Sequence, residues 1–119
     1  MTHIETQFKN RKDFVRFCSP YEPEAYAFLL EAVDHCLKKL KVKRHVSGAE
    51  LLEGIRDYGM LQFGPMVKEV FNHWGIRRTD DFGVIVFRLI DIGLLSRSET
   101  DSQEDFNNVY DFNEVFGRG

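Results

Sequence analysis

The run TDDFGVIVFRLIDIGLL, from Thr79 to Leu95, constrains the fold more than any other stretch of the chain. Ten of its residues are large and apolar and only four are charged, so it must lie inside whatever the chain builds. Thr79 suits a helix N-cap, because its hydroxyl can accept from an unpaired amide of the first turn. Asp80 and Asp81 then place negative charge at the positive end of the helix dipole. Phe82, Ile85, Val86, Leu89 and Ile90 repeat at the spacing of one helical face. Val84 and Phe87 fall off that face, which makes the helix apolar nearly all round and mostly buried. The β-formers Val84 to Phe87 leave a strand as the competing reading, but length and the cap favour the helix. Gly93 is placed to end it in a left-handed conformation that costs glycine little.

The preceding segments read as helices with clear boundaries. Pro23 opens one whose stripe is Tyr26, Leu29, Leu30, Val33, Leu37 and Leu40, with acids early and lysines late along the dipole. Residues 42–46 are a candidate short strand. Ser47 and Glu50 form a capping box for a helix carrying Leu51, Leu52, Ile55 and Tyr58, which stops near Gly59 or runs on to Phe63. Pro65 starts another, with Met66, Val67, Val70, Phe71 and Trp74 on one face, and Gly75 ends it. After Gly93, Leu94 to Ser98 and Val109 to Phe112 read as two strands of a hairpin around the polar residues 100–108. Asn113 to Phe116 read as a last helical turn. The expected class is α+β and mainly α, with four to five helices and a small C-terminal β-hairpin. Residues 1–22 are expected to be a partly flexible arm, with Phe14 and Phe17 on a short helix from Arg11 to Cys18. Residues 23–119 are expected to form a single domain.

This order resembles a winged-helix domain over residues 24–112, with an additional helix at 65–74; the stretch LIDIGLLSRSETDSQEDFNNVYDF resembles its third helix and wing. A second resemblance rests on YAFLLEA, RHVSGAELLEGI, FGPMVKEVFNHWGIRRTDDFG, GLLSRSETDSQEDF and YDFNEVF. Together these are similar to a family of small uncharacterised bacterial proteins described as restricted mainly to planctomycetes and verrucomicrobia. The similarity spans about Ala25 to Phe116, and it implies no activity, cofactor or site. The first twenty residues are less typical of that family.

Little in the sequence equips the chain for catalysis. Its 119 residues, 43% apolar and 29% charged, suit one soluble globular domain. There is no apolar run of roughly 18 residues and no signal-peptide pattern, so a cytoplasmic protein is expected. Cys18 and Cys36 make no disulfide framework or metal spacing. His35 and Cys36 are neighbours on a helix, so their side chains diverge by about 100°. His45 lies in a basic stretch that could meet an anion, and His73 sits where it can cap helix carbonyls. Glu99, Asp101, Glu104 and Asp105 lack the central glycine and terminal bidentate glutamate of a calcium loop. No glycine-rich phosphate loop is present. No catalytic residue, metal or cofactor is therefore expected.

Binding is the better class. Residues 1–48 carry nine Lys/Arg against six Asp/Glu, whereas residues 94–119 carry two against six. Lys38, Lys39, Lys41, Lys43, Arg44, His45, Arg77 and Arg78 are the candidate contacts for an anion or nucleic acid. The helix Thr79–Asp91 offers one Arg and three Asp, which would repel DNA in the usual recognition geometry. Eleven phenylalanines are more than one small core obviously needs. Tyr58, Phe71, Trp74 and Tyr110 are accordingly candidate interface anchors. The favoured expectation is a non-catalytic protein–protein interaction module, with another protein or a second copy in a homodimer as partner. Nucleic-acid binding through residues 38–45 and 77–78 is the alternative, and no membrane contact is expected.

Overall fold

Two long amphipathic helices set the frame. In the computed structural model, which describes residues 4–40, 46–96 and 101–117, they are α2 (Pro23–Lys39) and α3 (Gly48–Phe63). The predicted capping box opens α3: Ser47 Oγ accepts from the Glu50 amide at 3.1 Å, and Glu50 Oε1 accepts from the Ser47 amide at 3.1 Å. The two helices pack closely, and a Cβ at Gly54 would meet the Cys36 sulfur at 1.9 Å. After α3, a short 3₁₀ turn, η2 (Gly64–Met66), leads into α4 (Val67–His73). Gly75 ends α4 with φ +89°, and the Ile76 amide reaches back to the Phe71 carbonyl at 2.9 Å.

The opening stretch is the expected helix, α5 (Thr79–Asp91), packed against α2. Phe82, Ile85 and Leu89 are wholly buried, each removing surface that stabilises the fold by about 1.5–3 kcal/mol. Gly93 ends α5 as predicted, with φ +81° and the Leu94 amide bonded to the Leu89 carbonyl at 3.0 Å. The cap differs by one residue. Arg78 is the extended N-cap and Thr79 is already helical, so its hydroxyl is turned to another segment.

The N-terminal arm is part of this body. Ile4, Phe14 and Cys18 are buried, and α1 (Arg11–Cys18) packs on α2. Asn10 caps α1 by accepting from the Asp13 amide. At its other end the Arg88 guanidinium donates to the carbonyls of Phe17, Cys18 and Ser19 and to the Tyr26 hydroxyl. The phenylalanines of this arm dock on the main body: Phe8 contacts Phe14 and Phe17, and Phe17 contacts Tyr26.

The expected β-hairpin and the α+β class are overturned: among the described residues there is no strand, and the fold is all-helical. Leu94 and Leu95 lie in a turn, and Arg97 and Ser98 of the expected first strand lie outside the described residues. The candidate strand at 42–46 lies outside them too, apart from Val46, which is irregular. On the far side, Ser102 and Asp105 close a small capping box around η3 (Gln103–Phe106). The chain then turns through Asn108 at φ +49°. The Val109 amide, which a hairpin would pair across strands, donates instead to Thr79, and the Asn108 amide beside it donates to Asp80. Phe112 opens α6 (Phe112–Phe116), capped by Asp111. With the wing gone, the winged-helix layout goes with it.

Gly83 is where this C-terminal strap meets the central helix. A Cβ there would lie 2.8 Å from Phe106 Cβ and 3.1 Å from the Gln103 carbonyl oxygen. Gly83→Ala should therefore lower stability by about 1–3 kcal/mol through overpacking, despite alanine's better helix propensity. A fall in the urea midpoint checks it, and an unchanged or raised midpoint would show that the strap yields.

Candidate functional site

Leu37 is the residue at which the apolar pattern of α2 is not consumed by the core. It is 46% exposed, and with Val33 one turn earlier it forms one wall of an open groove. The facing wall comes from α5, where Phe87 and Ile90 are partly exposed. The reversal at Gly93 brings Leu94 and Leu95 back beside them. Leu51 and Val86 lie at the floor, and Phe106, held by the Gly83 contact, completes the apolar lining. The enclosed volume is about 570 Å³, within the range of natural ligand and anchor pockets.

The polar edge is supplied by the strap. Ser96, Asp101, Ser102 and Asp105 line the groove there. Ser102 and Asp105 are fixed by their own turn: Asp105 accepts from the Ser102 amide at 3.1 Å, and Ser102 accepts from the Glu104 amide at 3.2 Å. Among the described residues that line the groove, the charged ones are both acids. Asp91, exposed at the end of α5, adds a third carboxylate on the same helix as Phe87 and Ile90.

Of the aromatic candidates, Phe71 lies inside the core, and Tyr58, Trp74 and Tyr110 are partly buried against it. Phe71 is fully buried, and its ring lies 5.2 to 6.0 Å from those of Phe28, Trp74, Phe82, Phe112 and Phe116. Trp74 contacts Phe28 and Phe63 as well. Tyr110 donates to the Leu52 carbonyl at 2.8 Å, and burial pushes its hydroxyl pKa up. Tyr58 packs on Phe28 and His35 and donates to Glu31 at 2.8 Å; burial first and that carboxylate second raise its pKa. The aromatic excess is thus largely one connected core, and Phe71 offers no surface to a partner.

The basic candidates are dispersed or compensated. Lys38 pairs with Asp34 at 2.9 Å. Arg78 pairs with Asp80 at 3.2 Å, and Arg77 donates from its guanidinium to Asn72 and from its amide to Asp81. Lys39 is exposed on the last turn of α2, beside a shallow depression that also holds Glu50, Glu53 and Asp57. Lys41, Lys43, Arg44 and His45 lie outside the described residues.

The groove went unseen in the sequence because Leu94 and Leu95 read as strand residues. The available signal was the continuation of the α2 stripe to Leu37 and the off-face position of Phe87, which put apolar side chains on more of each helix than one core face needs. A second exposed apolar corner lies at the α3–η2 junction, where Met60, Leu61 and Met66 face solvent and Leu61 is 71% exposed. Among the described residues no group of three or more His, Cys, Asp and Glu is arranged to hold a metal ion, and no helix is long and apolar enough to cross a membrane.

No protein-family model, curated protein or solved structure matches the chain.

The cysteines are held as thiols. Burial pushes the Cys18 pKa up to about 12, against smaller opposing effects of Arg88 and Arg11, and burial raises that of Cys36 as well. Since the thiolate is the reactive form, neither should react with a disulfide reagent at about pH 8 in the native state. Both should react promptly in denaturant, and a rapid native titre would contradict this burial. The shift also has a sign for stability. The folded state keeps the Cys18 proton over a range in which the unfolded chain has lost it, so this contribution is full below the unfolded pKa. It is lost as pH rises from there toward about 12. Urea midpoints measured across that range should fall, and fall less steeply in Cys18→Ala.

Proposed function

We propose that the chain is a non-catalytic protein-interaction module, acting in the cytoplasm, whose contact surface is the groove between α2 and α5. The observation that carries this reading is an apolar trough of about 570 Å³ open to solvent, with Leu37 left nearly half exposed at its wall. Burying such a surface against a partner contributes about 25 cal/mol per Å² of apolar area, which supplies a driving force for association. Concave apolar surface rimmed by polar groups is the usual form of a recognition site. The raised thiol pKa values of both cysteines weigh against a nucleophilic role for them. The ion pairs that engage Lys38 and Arg78 weigh the reading toward protein rather than nucleic acid.

The reading places the energy of binding on Leu37 rather than on the aromatic residues. Leu37→Lys should leave folding intact, since the position is exposed, and should abolish contacts made through the groove. In a two-hybrid screen run with all three baits, the partners of the parent chain should be lost with Leu37→Lys and kept with Leu61→Lys. Should the partner be a second copy, light scattering would show a dimer that Leu37→Lys converts to monomer. Partners indifferent to Leu37→Lys, or lost only with Leu61→Lys, would move the contact surface away from the groove.

A further inference from the structure

The junction of α3 and η2 holds the described sulfur atoms that meet solvent. Met60 is 47% exposed and Met66 50% exposed, on either side of Leu61 and Gly64 in the chain. Gly64 turns there with φ +54°, and a Cβ added to it would meet nothing within 4 Å, so the space around the turn is open. The other two described sulfurs are the Cys18 and Cys36 thiols, and both are buried. From this division we infer that Met60 and Met66 are modification sites for hydroperoxides, and that their oxidation turns the corner from apolar to polar.

A thioether has no proton to lose before it reacts, so access decides its fate. With hydrogen peroxide, the sulfur lone pair attacks one oxygen, an S–O bond forms and the O–O bond breaks. The sulfur is oxidised by two electrons and the peroxide is reduced. The departing hydroxide takes the proton of the transferred oxygen and leaves as water. The thiols follow a different rule, because only the thiolate is nucleophilic and burial keeps the proton on Cys18 and Cys36.

Each sulfoxide replaces a soft apolar sulfur with a dipolar S–O group that accepts hydrogen bonds from water. The fold tolerates this, because the junction is held from inside by Val67. That residue follows Met66 and is buried, and its Cγ2 would lie 3.0 Å from a Cβ at Gly59. Leu61, 71% exposed between the methionines, is left as a single apolar side chain rather than part of a patch. The groove draws on α3 only at Gly48 and Leu51, at the opposite end of that helix, so the change is separate from it. Reduction of the sulfoxides makes it reversible.

The test treats the full chain with hydrogen peroxide at neutral pH and maps oxygen uptake by mass spectrometry of its peptides. Met60 and Met66 should each gain one oxygen in the native protein, at rates within about threefold of those in denaturant. The urea midpoint of the oxidised chain should match that of the parent. Its retention on a phenyl matrix should fall, and should return after treatment with a methionine sulfoxide reductase and a thiol reductant. Peroxide should leave the retention of Met60→Leu/Met66→Leu unchanged. Met1, outside the described residues, is still present in that variant. A fall in retention that persists there would therefore assign the change elsewhere and overturn the corner. Protection of either methionine by about tenfold or more in the native state would overturn its access. A lowered urea midpoint would place the thioethers in the packing, against this inference. Unchanged retention with both methionines oxidised would overturn the change of surface character.

Discussion

The first turn of α5 is the point on which the rest of the structure depends, because its side chains do the pairing that secondary structure does not. Thr79 Oγ1 accepts from the Val109 amide at 3.0 Å, and Asp80 Oδ1 accepts from the Asn108 amide at 2.8 Å. Asp81 accepts from the Tyr21 hydroxyl at 2.6 Å and from the amides of Arg77 and Arg78 at 2.8 and 3.2 Å. Three consecutive residues thus hold the N-terminal arm, the turn before α5 and the C-terminal strap. Backbone donors outside helices must find acceptors somewhere, and here a helix N-terminus rich in carboxylates provides them. Two turns later, Arg88 performs the converse service, donating to the carbonyls that end α1. One buried helix therefore orders both terminal segments of the chain.

That arrangement shapes the groove. The strap is fixed at Asn108 and Val109 on α5, and at Tyr110 on the Leu52 carbonyl of α3. Between Ser102 and Phe106 it must therefore run alongside α5, where the absence of a side chain at Gly83 lets Phe106 approach. Phe106 fills what would otherwise be the open base between α3 and α5. The remaining space, between α2 and the Leu94–Leu95 turn, is left uncovered by the described residues. The trough follows from where the strap is tied rather than from any weakness of the core.

What was readable beforehand was whatever is decided within a few residues. The Ser47 capping box, the glycine ends at Gly75 and Gly93 and the buried character of Thr79–Asp91 all depend on neighbours in sequence, and all are present. The hairpin failed because the Val109 amide is engaged from a distance by Thr79, Tyr110 is tied through its hydroxyl to Leu52, and Phe112 opens a helix. Strand propensity expresses fit to a pleated neighbour, and no such neighbour exists among the described residues. Phe71, read as an interface anchor, misled for a related reason. A single phenylalanine, Phe71, gathers five other aromatic rings around itself, and composition cannot show that convergence. Of the candidate site, Leu37 and Phe87 were visible as parts of apolar helices, but their meeting across α2 and α5 was not.

The groove also differs from an accidental gap in how its walls are held. Leaving Leu37 in water forgoes about 25 cal/mol per Å² of apolar surface, a cost that local collapse would ordinarily recover. Collapse would require α2 and α5 to close on each other, and the two are tied between Tyr26, in the first turn of α2, and Arg88, beside Phe87 on α5. Tyr26 of α2 donates to the Cys18 carbonyl and accepts from Arg88 of α5, so the two helices are joined through a polar contact whose geometry sets their separation. Closing the trough would strain that contact or release Phe106 from its seat over Gly83. The walls are thus held apart before any partner arrives. A partner entering the groove need not order them, and so the entropy lost on binding falls mainly on the partner's side.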